Sequence, residues 1–378
     1  MIRTTLVSPL MSSAKPAMGN TMDRVRRLRI LHLVVGYIKE AGGWNKAFPP
    51  AGGVYESNFD LAIQDDAWVS LHLRIFPREN IKRTRKALGI PKWVVTRNQD
   101  ACHCDLAFIM LLYKLSWPRR QIDFAEVFGG NGARTMRICN ALTVFLYQRF
   151  QRKIQSLDRA RMTDEYILWM CQVQYAKHNT APHVWGFIDA TVRPCCRPVH
   201  FQEAIYNGKD RVHAIKFQTI VSVDGIICHC NGPWSGRRHD SYIYKRTLPP
   251  VLHELPVIEV GDTMTPVAVY ADPGYFLTTR ILMPFPDGRE CPTHHAFNVT
   301  MSRKRITVEW GYSRVVALWK HLDFKNNQKV FKSPIGAQYI VAVLLTNAVT
   351  CIDRGNEISD YFGTAPPTLE QFFATLSD

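Results

Sequence analysis

Two apolar, strand-like runs in the C-terminal half of this chain each end in an aspartate. The first is Val-Trp-Gly-Phe-Ile-Asp over residues 184–189, and the second is Val-Ala-Val-Tyr-Ala-Asp over residues 267–272. A carboxylate that ends so apolar a run needs a metal, a partner or solvent to compensate for its burial. We therefore expect Asp189 and Asp272 to have a specific role and not to be ordinary surface charges.

A third acid, Glu309, lies in a basic stretch with a helical pattern. Two acids at strand ends and one on a flanking helix suit the binding of two divalent cations over a phosphodiester, because Mg²⁺ prefers oxygen ligands and needs only a few carboxylates. Glu309 alone is less informative, since Arg305 lies four residues before it and a helix-surface ion pair would explain both.

The region that contains the two aspartates has the pattern of a mixed α/β domain. Strands are predicted over residues 184–192, 212–223 and 226–234, and Asp224-Gly225 predicts a hairpin turn between the last two. A further strand is predicted over 267–271, and helices over 302–322 and 334–353. The sequence thus predicts an α/β fold with a mixed sheet.

The preceding region, residues 60–176, is mostly helical in pattern. A short helix over 120–127, a glycine-rich turn and a long helix over 133–152 have the outline of a helix-turn-helix. Arg134 and Arg137 begin the second helix, where side chains can enter a major groove. Many helical hairpins share this outline without contacting DNA, so both interpretations stay open.

Charge points to a polyanionic partner. The 378 residues carry a formal net charge of +15 and the pI is about 9.4, which favours nucleic acid, with an acidic membrane surface as the rival. The longest apolar stretch, residues 335–352, contains Gln338, Thr346 and Asn347 and is better interpreted as a core helix than as a membrane span.

Ten cysteines occur without the spacing of a disulfide framework. The triplets Cys102-His103-Cys104 and Cys228-His229-Cys230 offer zinc-ligand residue types, but buried, reduced thiols are the simpler interpretation.

Four motifs together carry a resemblance. Phe-Ile-Asp-Ala-Thr at 187–191, Gly-Arg-Arg-His-Asp-Ser at 236–241, Ala-Asp-Pro-Gly-Tyr at 271–275 and Arg-Ile-Thr-Val-Glu-Trp-Gly at 305–311 resemble the nuclease domain of PIF/Harbinger-type DDE transposases. The resemblance implies an RNase H-like fold in which Asp189, Asp272 and Glu309 form a catalytic triad that binds two Mg²⁺ ions, with Mn²⁺ able to substitute. The family's His-Asp pair falls on His239 and Asp240 in a supporting role.

Two details of the resemblance need the structure. Asp240 is either a fourth acid near the metals or a cap of the following helix, and we favour the cap or another supporting role. The family commonly has arginine after the catalytic glutamate, where this chain has Trp310. The predicted DNA-contacting residues are Arg134, Arg137, Arg237, Arg238, Lys304, Arg305 and Arg314.

We expect four segments. They are a variable basic leader over residues 1–59, a helical DNA-binding region over 60–180, an RNase H-like nuclease domain over 181–355 and a C-terminal tail over 356–378. The predicted function is a metal-dependent DNA endonuclease and transposase that cuts and joins DNA strands; the alternative is a domesticated, transposase-derived DNA-binding protein without turnover. The expected partners are the DNA of transposon ends and target sites, further copies of the same chain assembled on DNA, and a Myb-like partner protein. We expect no contact with a membrane and a nuclear location.

Overall fold

The computed structural model describes residues 53–374 of the chain. The basic leader, with the helix predicted over residues 22–40, lies outside the described residues.

A helical region precedes the main sheet and agrees with the predicted pattern. Its third helix is buried along nearly its whole length, as the apolar spacing of residues 105–115 predicts. A two-stranded hairpin, which the pattern did not predict, lies between the second and third helices. The elements are α1 (Asp66–Leu73), α2 (Glu79–Ala87), β1 (Trp93–Val95), β2 (Ala101–His103), α3 (Cys104–Ser116), α4 (Gln121–Phe128), α5 (Gly132–Ser156) and α6 (Asp164–His178).

Helices α4 and α5 have the predicted outline of a short helix, a glycine turn and a long helix. They approach closely at Gly132, where an added Cβ would lie 2.5 Å from the carbonyl oxygen of Gln121. Helix α5 also packs against α3 and the main sheet, and its buried face includes Leu142 and Phe150. The long helix is therefore a scaffold that joins the helical region to the sheet.

The main sheet is mixed. Strands β9, β3 and β10 run parallel, whereas β5 is antiparallel to β3, β4 and β6. The order across the sheet is β10-β9-β3-β5-β4, and β6 also pairs with β5. The elements are β3 (Val184–Pro194), α7 (Gln202–Ile205), β4 (Tyr206–Asn207), β5 (Val212–Ser222), β6 (Ile227–Ser235), α8 (Asp240–Thr247), α9 (Pro249–His253), β7 (Val257–Val260), β8 (Thr263–Pro266), β9 (Ala268–Tyr270) and β10 (Ile281–Leu282).

The β5–β6 hairpin turns at Asp224-Gly225, as predicted. Gly225 has a φ of +81°, a backbone conformation that glycine adopts at no steric cost. A Cβ at this position would also lie 2.2 Å from the side chain of Asn356, whose amide donates to the Gly225 carbonyl at 2.8 Å. The turn is thus fixed both by its own sequence and by a contact with the C-terminal segment.

Two long helices follow the sheet, α10 (Pro292–Leu318) and α11 (Ile335–Asp353). Helix α11 is long and apolar enough to cross a membrane, but 94% of its apolar window is buried inside the protein. Asn347 on this helix accepts from the amide of Ile227 and donates to the Ile227 carbonyl, both at 3.0 Å. The predicted core helix is confirmed, because the helix is buried in the protein and its Asn347 bonds to the backbone of strand β6.

The C-terminal residues pack on the body of the protein up to the end of the described range. Helices α12 (Glu357–Phe362) and α13 (Leu369–Ala374) bury Phe362, Phe372 and Phe373. The described architecture is a mixed sheet flanked by helices after a helical region. It confirms the predicted α/β class and is consistent with the RNase H-like nuclease fold.

Replacement of His229 in β6 should make the protein less sensitive to acid. The ring is fully buried, and burial lowers the pKa of His229 to about 4. Because the folded-state pKa lies below the unfolded value of about 6.5, this group's contribution to stability is complete at neutral pH and is lost as the pH falls from 6.5 through 4. The full shift corresponds to about 3 kcal/mol.

We expect His229→Leu to lose about 2–3 kcal/mol less of its unfolding free energy than the wild type between pH 7 and pH 4.5. Urea unfolding at the two pH values measures the difference. The exposed His295, changed to Leu, is the control and should follow the wild type. Equal acid losses for His229→Leu and the wild type would show that this ring is not the group that titrates.

Candidate metal centre

The register of the sheet places Asp189 and Asp272 beside each other. Strands β3 and β9 are parallel, and Phe187 pairs with Tyr270. Each aspartate follows its paired residue by two positions, so the two carboxylates lie together just past the point where the pairing of β3 with β9 ends. Asp272 lies just after its strand, as expected, but Asp189 lies in the middle of β3, which continues to Pro194 in its pairing with β5. The expected strand end at Asp189 is therefore corrected: only the pairing with β9 ends beside it.

A third carboxylate joins them from helix α8. Asp189, Asp240 and Asp272 each offer an oxygen atom, and these atoms lie within 4.8 Å of one another. Asp240 is the first residue of α8, directly after the N-cap residue His239, and its carboxylate accepts from the Lys216 ammonium at 2.8 Å. Of the roles considered for Asp240, the structure shows the place of a fourth acid beside the predicted metal ligands.

The Asp189 side chain is largely enclosed, with 18% of its surface exposed. Burial raises the pKa of the Asp189 carboxyl to about 6; the charges of Asp272 and Asp240 add to the increase, whereas the Ala190 amide and Arg305 oppose it. One Asp189 oxygen accepts from the Ala190 amide at 2.7 Å. Like charges gathered in a partly desolvated place favour a bound cation.

Asp272 is held by its own turn. Its carboxylate accepts from the backbone amide of Gly274 at 3.0 Å, and the next residue, Tyr275, is buried. The Tyr275 hydroxyl accepts from Gln218 at 3.1 Å, which ties the turn to strand β5. The Asp-Pro-Gly-Tyr motif thus fixes one ligand position through an anchored turn.

Arg305 of α10 lies between Asp189 and Glu309. Its guanidinium is 3.3 Å from a carboxylate oxygen of each. Glu309 is half exposed, at 52%, and is not one of the three acids whose oxygens cluster among the described residues. The structure thus brings together Asp189, Asp240 and Asp272. Glu309 is connected to Asp189 through Arg305, which pairs with both acids. The ion pair of Arg305 with Glu309 is the one that their spacing of four residues suggested. The role of Glu309 as a metal ligand stays a prediction.

The cluster is chemically suited to magnesium. Its donor atoms are carboxylate oxygens, which Mg²⁺ prefers, and the oxygens of three separate residues lie within 4.8 Å of one another. Arg305 and Lys216 supply positive charge at two sides of the cluster. The residues present therefore fit a divalent cation.

Two residues of the site were not predicted as functional. Lys216 and Gln218 are buried in β5, where they contact Asp240 and Tyr275. The available signal was two polar residues at i and i+2 in an otherwise apolar strand, because such residues share one face.

Lys304 does not lie at a surface that DNA can reach. It is fully buried, and its ammonium donates to the carbonyls of Gln174 at 3.0 Å and Thr180 at 3.4 Å. Burial lowers the pKa of Lys304 to about 8. The prediction of a DNA contact by Lys304 is corrected accordingly: this lysine satisfies the carbonyls at the end of α6.

Other predicted DNA-contacting arginines have partners within the protein. Arg134 and Arg137 pair with the buried Asp100 at 3.1 and 2.7 Å, and Arg314 pairs with Asp353 at 2.9 Å. Their roles in DNA binding stay predictions, and these ion pairs would have to be shared with phosphates.

The glycine-rich loop before α8 presents the remaining two arginines near the acids. Arg237 is exposed and donates to the Glu203 carbonyl at 3.4 Å, and the Arg238 guanidinium lies 4.5 Å from the Tyr242 ring centre. His239 is the N-cap residue of α8, directly before Asp240. Both arginines are therefore carried by the segment that positions the Asp240 carboxylate.

Trp310, which stands where the resembled family commonly has arginine, packs edge-on against Tyr361 of α12 at 5.7 Å between ring centres. The tryptophan therefore secures the C-terminal helix against α10 beside Glu309. This packing accounts for an aromatic residue at the position without a contact to substrate.

The two cysteine triplets do not form disulfides. All ten cysteines are free, and most are buried, including Cys102, Cys104, Cys228 and Cys230. His103, Cys104 and Asp105 do offer three ligand atoms within 4.8 Å of one another, but Arg85 already pairs with Asp105 at 2.6 Å and donates to the Cys104 sulfur at 3.3 Å. The arginine supplies the positive charge at this group.

Comparison with known proteins agrees with the geometry of the acidic cluster. No significant match to this chain was found among curated proteins or among solved structures. Residues 188–347 match the model of a family described as DDE superfamily endonuclease. The matched stretch includes Asp189, Asp240, Asp272 and Glu309 and extends into α11. This part of the chain is thus similar to a DDE-type, transposase-like nuclease.

Proposed function

We propose that this protein is a metal-dependent DNA endonuclease of the transposase type, which cuts DNA strands and joins them. The observation that carries the proposal is the convergence of Asp189, Asp240 and Asp272, whose carboxylate oxygens lie within 4.8 Å of one another. The match to DDE superfamily endonucleases and the net charge of +15 support DNA as the substrate.

The site residues have separate roles in this proposal. Asp189 and Asp272 hold two divalent cations, with Glu309 as the third ligand of the triad and Asp240 in a supporting position. Bound Mg²⁺ supplies the chemistry that activates an attacking water or 3′-hydroxyl and stabilises the leaving oxygen. Mn²⁺ would substitute for Mg²⁺.

Arg305 and Lys216 adjust the charge of the site. Arg305 pairs with Asp189 and Glu309, and Lys216 pairs with Asp240, so that each cation offsets part of the negative charge. Arg237 and Arg238 lie on the loop that leads to Asp240, where they would contact the phosphates that flank the cut. Such contacts set affinity and salt dependence but not sequence choice.

The finer assignment is a PIF/Harbinger-type transposase that works in the nucleus. In this proposal the protein assembles as a homo-oligomer on transposon ends and target DNA and works with a Myb-like DNA-binding partner. The α4–α5 hairpin would contribute DNA contacts through Arg134 and Arg137. The resemblance of four motifs supports these details.

The second candidate is a domesticated DNA-binding protein without turnover. One observation favours it: the Arg305 guanidinium joins Asp189 to Glu309, and Glu309 lies apart from the three clustered acids. A protein of this kind would bind DNA tightly but would not cut it, whichever metal ion is added.

A cleavage assay separates the two candidates. Wild-type protein is incubated with supercoiled and linear DNA in Mg²⁺, Mn²⁺ or EDTA, beside Asp272→Asn. We expect metal-dependent cutting by the wild type and a loss above about 100-fold in Asp272→Asn, because loss of a direct ligand should exceed the 10–100-fold effect of a neighbour that only orients one. Asp262→Asn, on the exposed β7–β8 hairpin, is the matched control.

Each outcome of this assay has one meaning. Tight DNA binding without cutting under any metal would favour the second candidate. Equal cutting by Asp272→Asn and the wild type would show that the assignment of the acids is wrong.

A further inference from the structure

The segment between β9 and β10 exposes two adjacent apolar side chains. Phe276 is 41% exposed and Leu277 is 67% exposed, directly after the turn that holds Asp272. Single exposed apolar residues are common on protein surfaces. An adjacent pair beside a metal-binding candidate calls for an explanation from the local structure.

The exposure of Phe276 and Leu277 does not come from a loose segment. On one side, Tyr275 is buried and its hydroxyl accepts from Gln218. On the other, the amide of Thr278 donates to the Ile281 carbonyl at 3.2 Å, and the Thr278 hydroxyl is 3.4 Å from the hydroxyl of Tyr244. The pair is therefore a fixed apolar tip between two anchored residues.

The acidic cluster and the tip share their supporting elements. Phe276 follows Asp272 by four residues, so their Cα atoms are at most about 14 Å apart. The Lys245 ammonium lies 4.0 Å from the centre of the Phe276 ring, and Lys245 belongs to helix α8, which begins at Asp240. Base steps along one DNA strand are about 3.4 Å apart, so the tip reaches bases within about four steps of a phosphate at the acids.

The chemistry around the tip fits nucleic acid. Lys245 of α8 lies against the Phe276 ring, where its ammonium can contact phosphates, and the two apolar side chains can contact base faces. Apolar side chains of this kind insert between base steps and partly unstack them, at a cost of about a few kcal/mol per step. A two-residue tip is small compared with the apolar patches, typically several hundred Å², that mark protein-docking surfaces.

We propose that Phe276 and Leu277 form a wedge that inserts between stacked bases near the scissile phosphate and opens the duplex for cutting. This inference rests on the proposed DNA-cutting function and adds to it a DNA-distorting role for the β9–β10 segment. The wedge contacts bases and not the reacting phosphate, so its removal should harm the cutting of paired DNA and leave the chemistry intact.

The test compares two substrates. The double variant Phe276→Ala/Leu277→Ala is assayed on a duplex that the wild type cuts and on the same duplex with a three-nucleotide mismatch bubble at the cut. We expect at least about a 10-fold loss on the paired duplex and wild-type cutting on the bubble, since the bubble removes the unstacking cost. Met264→Ala, a 63% exposed apolar residue on the β7–β8 hairpin, should cut both as the wild type does.

A second measurement follows the bases directly. The measurement uses the Asp272→Asn variant, which is expected to bind DNA without cutting it, and DNA that carries 2-aminopurine beside the cut site. Protein with the native Phe276 and Leu277 should increase the fluorescence of 2-aminopurine when it binds. Protein that also carries Phe276→Ala/Leu277→Ala should not. The wedge would be overturned if the wild type and the double variant cut paired DNA equally well, or if the native tip and the double alanine tip gave the same rise in fluorescence. Either result would leave the proposed function standing. A wild type that neither binds nor cuts DNA would overturn both.

Discussion

Asp189→Asn is expected to abolish metal-dependent cutting and at the same time to stabilise the metal-free protein. Burial raises the pKa of Asp189 to about 6 from an ordinary value near 3.9. A carboxyl with a raised folded-state pKa contributes stability that is complete below its unfolded pKa and is lost as the pH rises through 6. At pH 8 the charged Asp189 therefore opposes folding by up to about 3 kcal/mol.

The asparagine variant keeps the size of the side chain and removes the charge. We expect its unfolding free energy to exceed that of the wild type by about 1–3 kcal/mol at pH 8 and to equal it near pH 4. Urea unfolding at the two pH values in EDTA measures this difference. The exposed Asp262→Asn should show no such gain.

Added Mg²⁺ should reverse the order of stability of the wild type and Asp189→Asn. A cation that binds only the folded state stabilises it by an amount that grows with the ratio of its concentration to its dissociation constant. Added Mg²⁺ should therefore raise the melting temperature of the wild type and leave Asp189→Asn unchanged. If Asp189→Asn is less stable than the wild type at pH 8 without metal, the ion pair of Asp189 with Arg305 stabilises the fold by more than the burial of the charged carboxylate destabilises it. The prediction would then be wrong.

Local patterns predicted the parts of this site that depend on local structure. The apolar runs correctly predict two strands that lead to Asp189 and Asp272, and the parallel pairing of these strands brings the two acids together. The strand of Asp189 continues beyond this residue, because β5 pairs with it as far as Pro194. The Asp224-Gly225 turn and the core helix α11 are equally local, since each follows from turn chemistry or apolar patterning. These predictions agree with the structure because no distant residue competes with them.

The predictions that failed depend on distant contacts. Lys304 belongs to a basic stretch, and only its approach to the end of α6 buries it. Asp240 is a plausible cap by sequence, but Lys216, 24 residues earlier in the chain, draws its carboxylate toward the cluster. The role of Trp310, which the sequence left open, likewise depends on a distant contact, its packing on Tyr361. Local sequence patterns do not show which residues distant in the chain come into contact, so these contacts could be found only in the folded structure.

Arg161→Met is expected to cost about 3–5 kcal/mol of unfolding free energy, the largest stability effect that we predict. Arg161 lies between α5 and α6, and its guanidinium is 3.2 Å from the fully buried carboxylate of Asp224 in the β5–β6 turn. Removal of one partner leaves the other charge buried and uncompensated, which is the costly case for a buried ion pair. The Tyr166 hydroxyl and the Ile226 amide still donate to Asp224 but add no positive charge.

An exposed pair from the same segment provides the matched control. Arg159 pairs with Asp164, and their side chains are 33% and 52% exposed. Arg159→Met should therefore cost less than about 1 kcal/mol. The double variant Arg161→Met/Asp224→Asn should recover a large part of the loss, because it removes the buried charge that the single change leaves behind. Denaturant unfolding of the four proteins at pH 7.5 decides the matter: similar values for Arg161→Met and Arg159→Met would mean that the helical region is not tied to the hairpin turn by this ion pair.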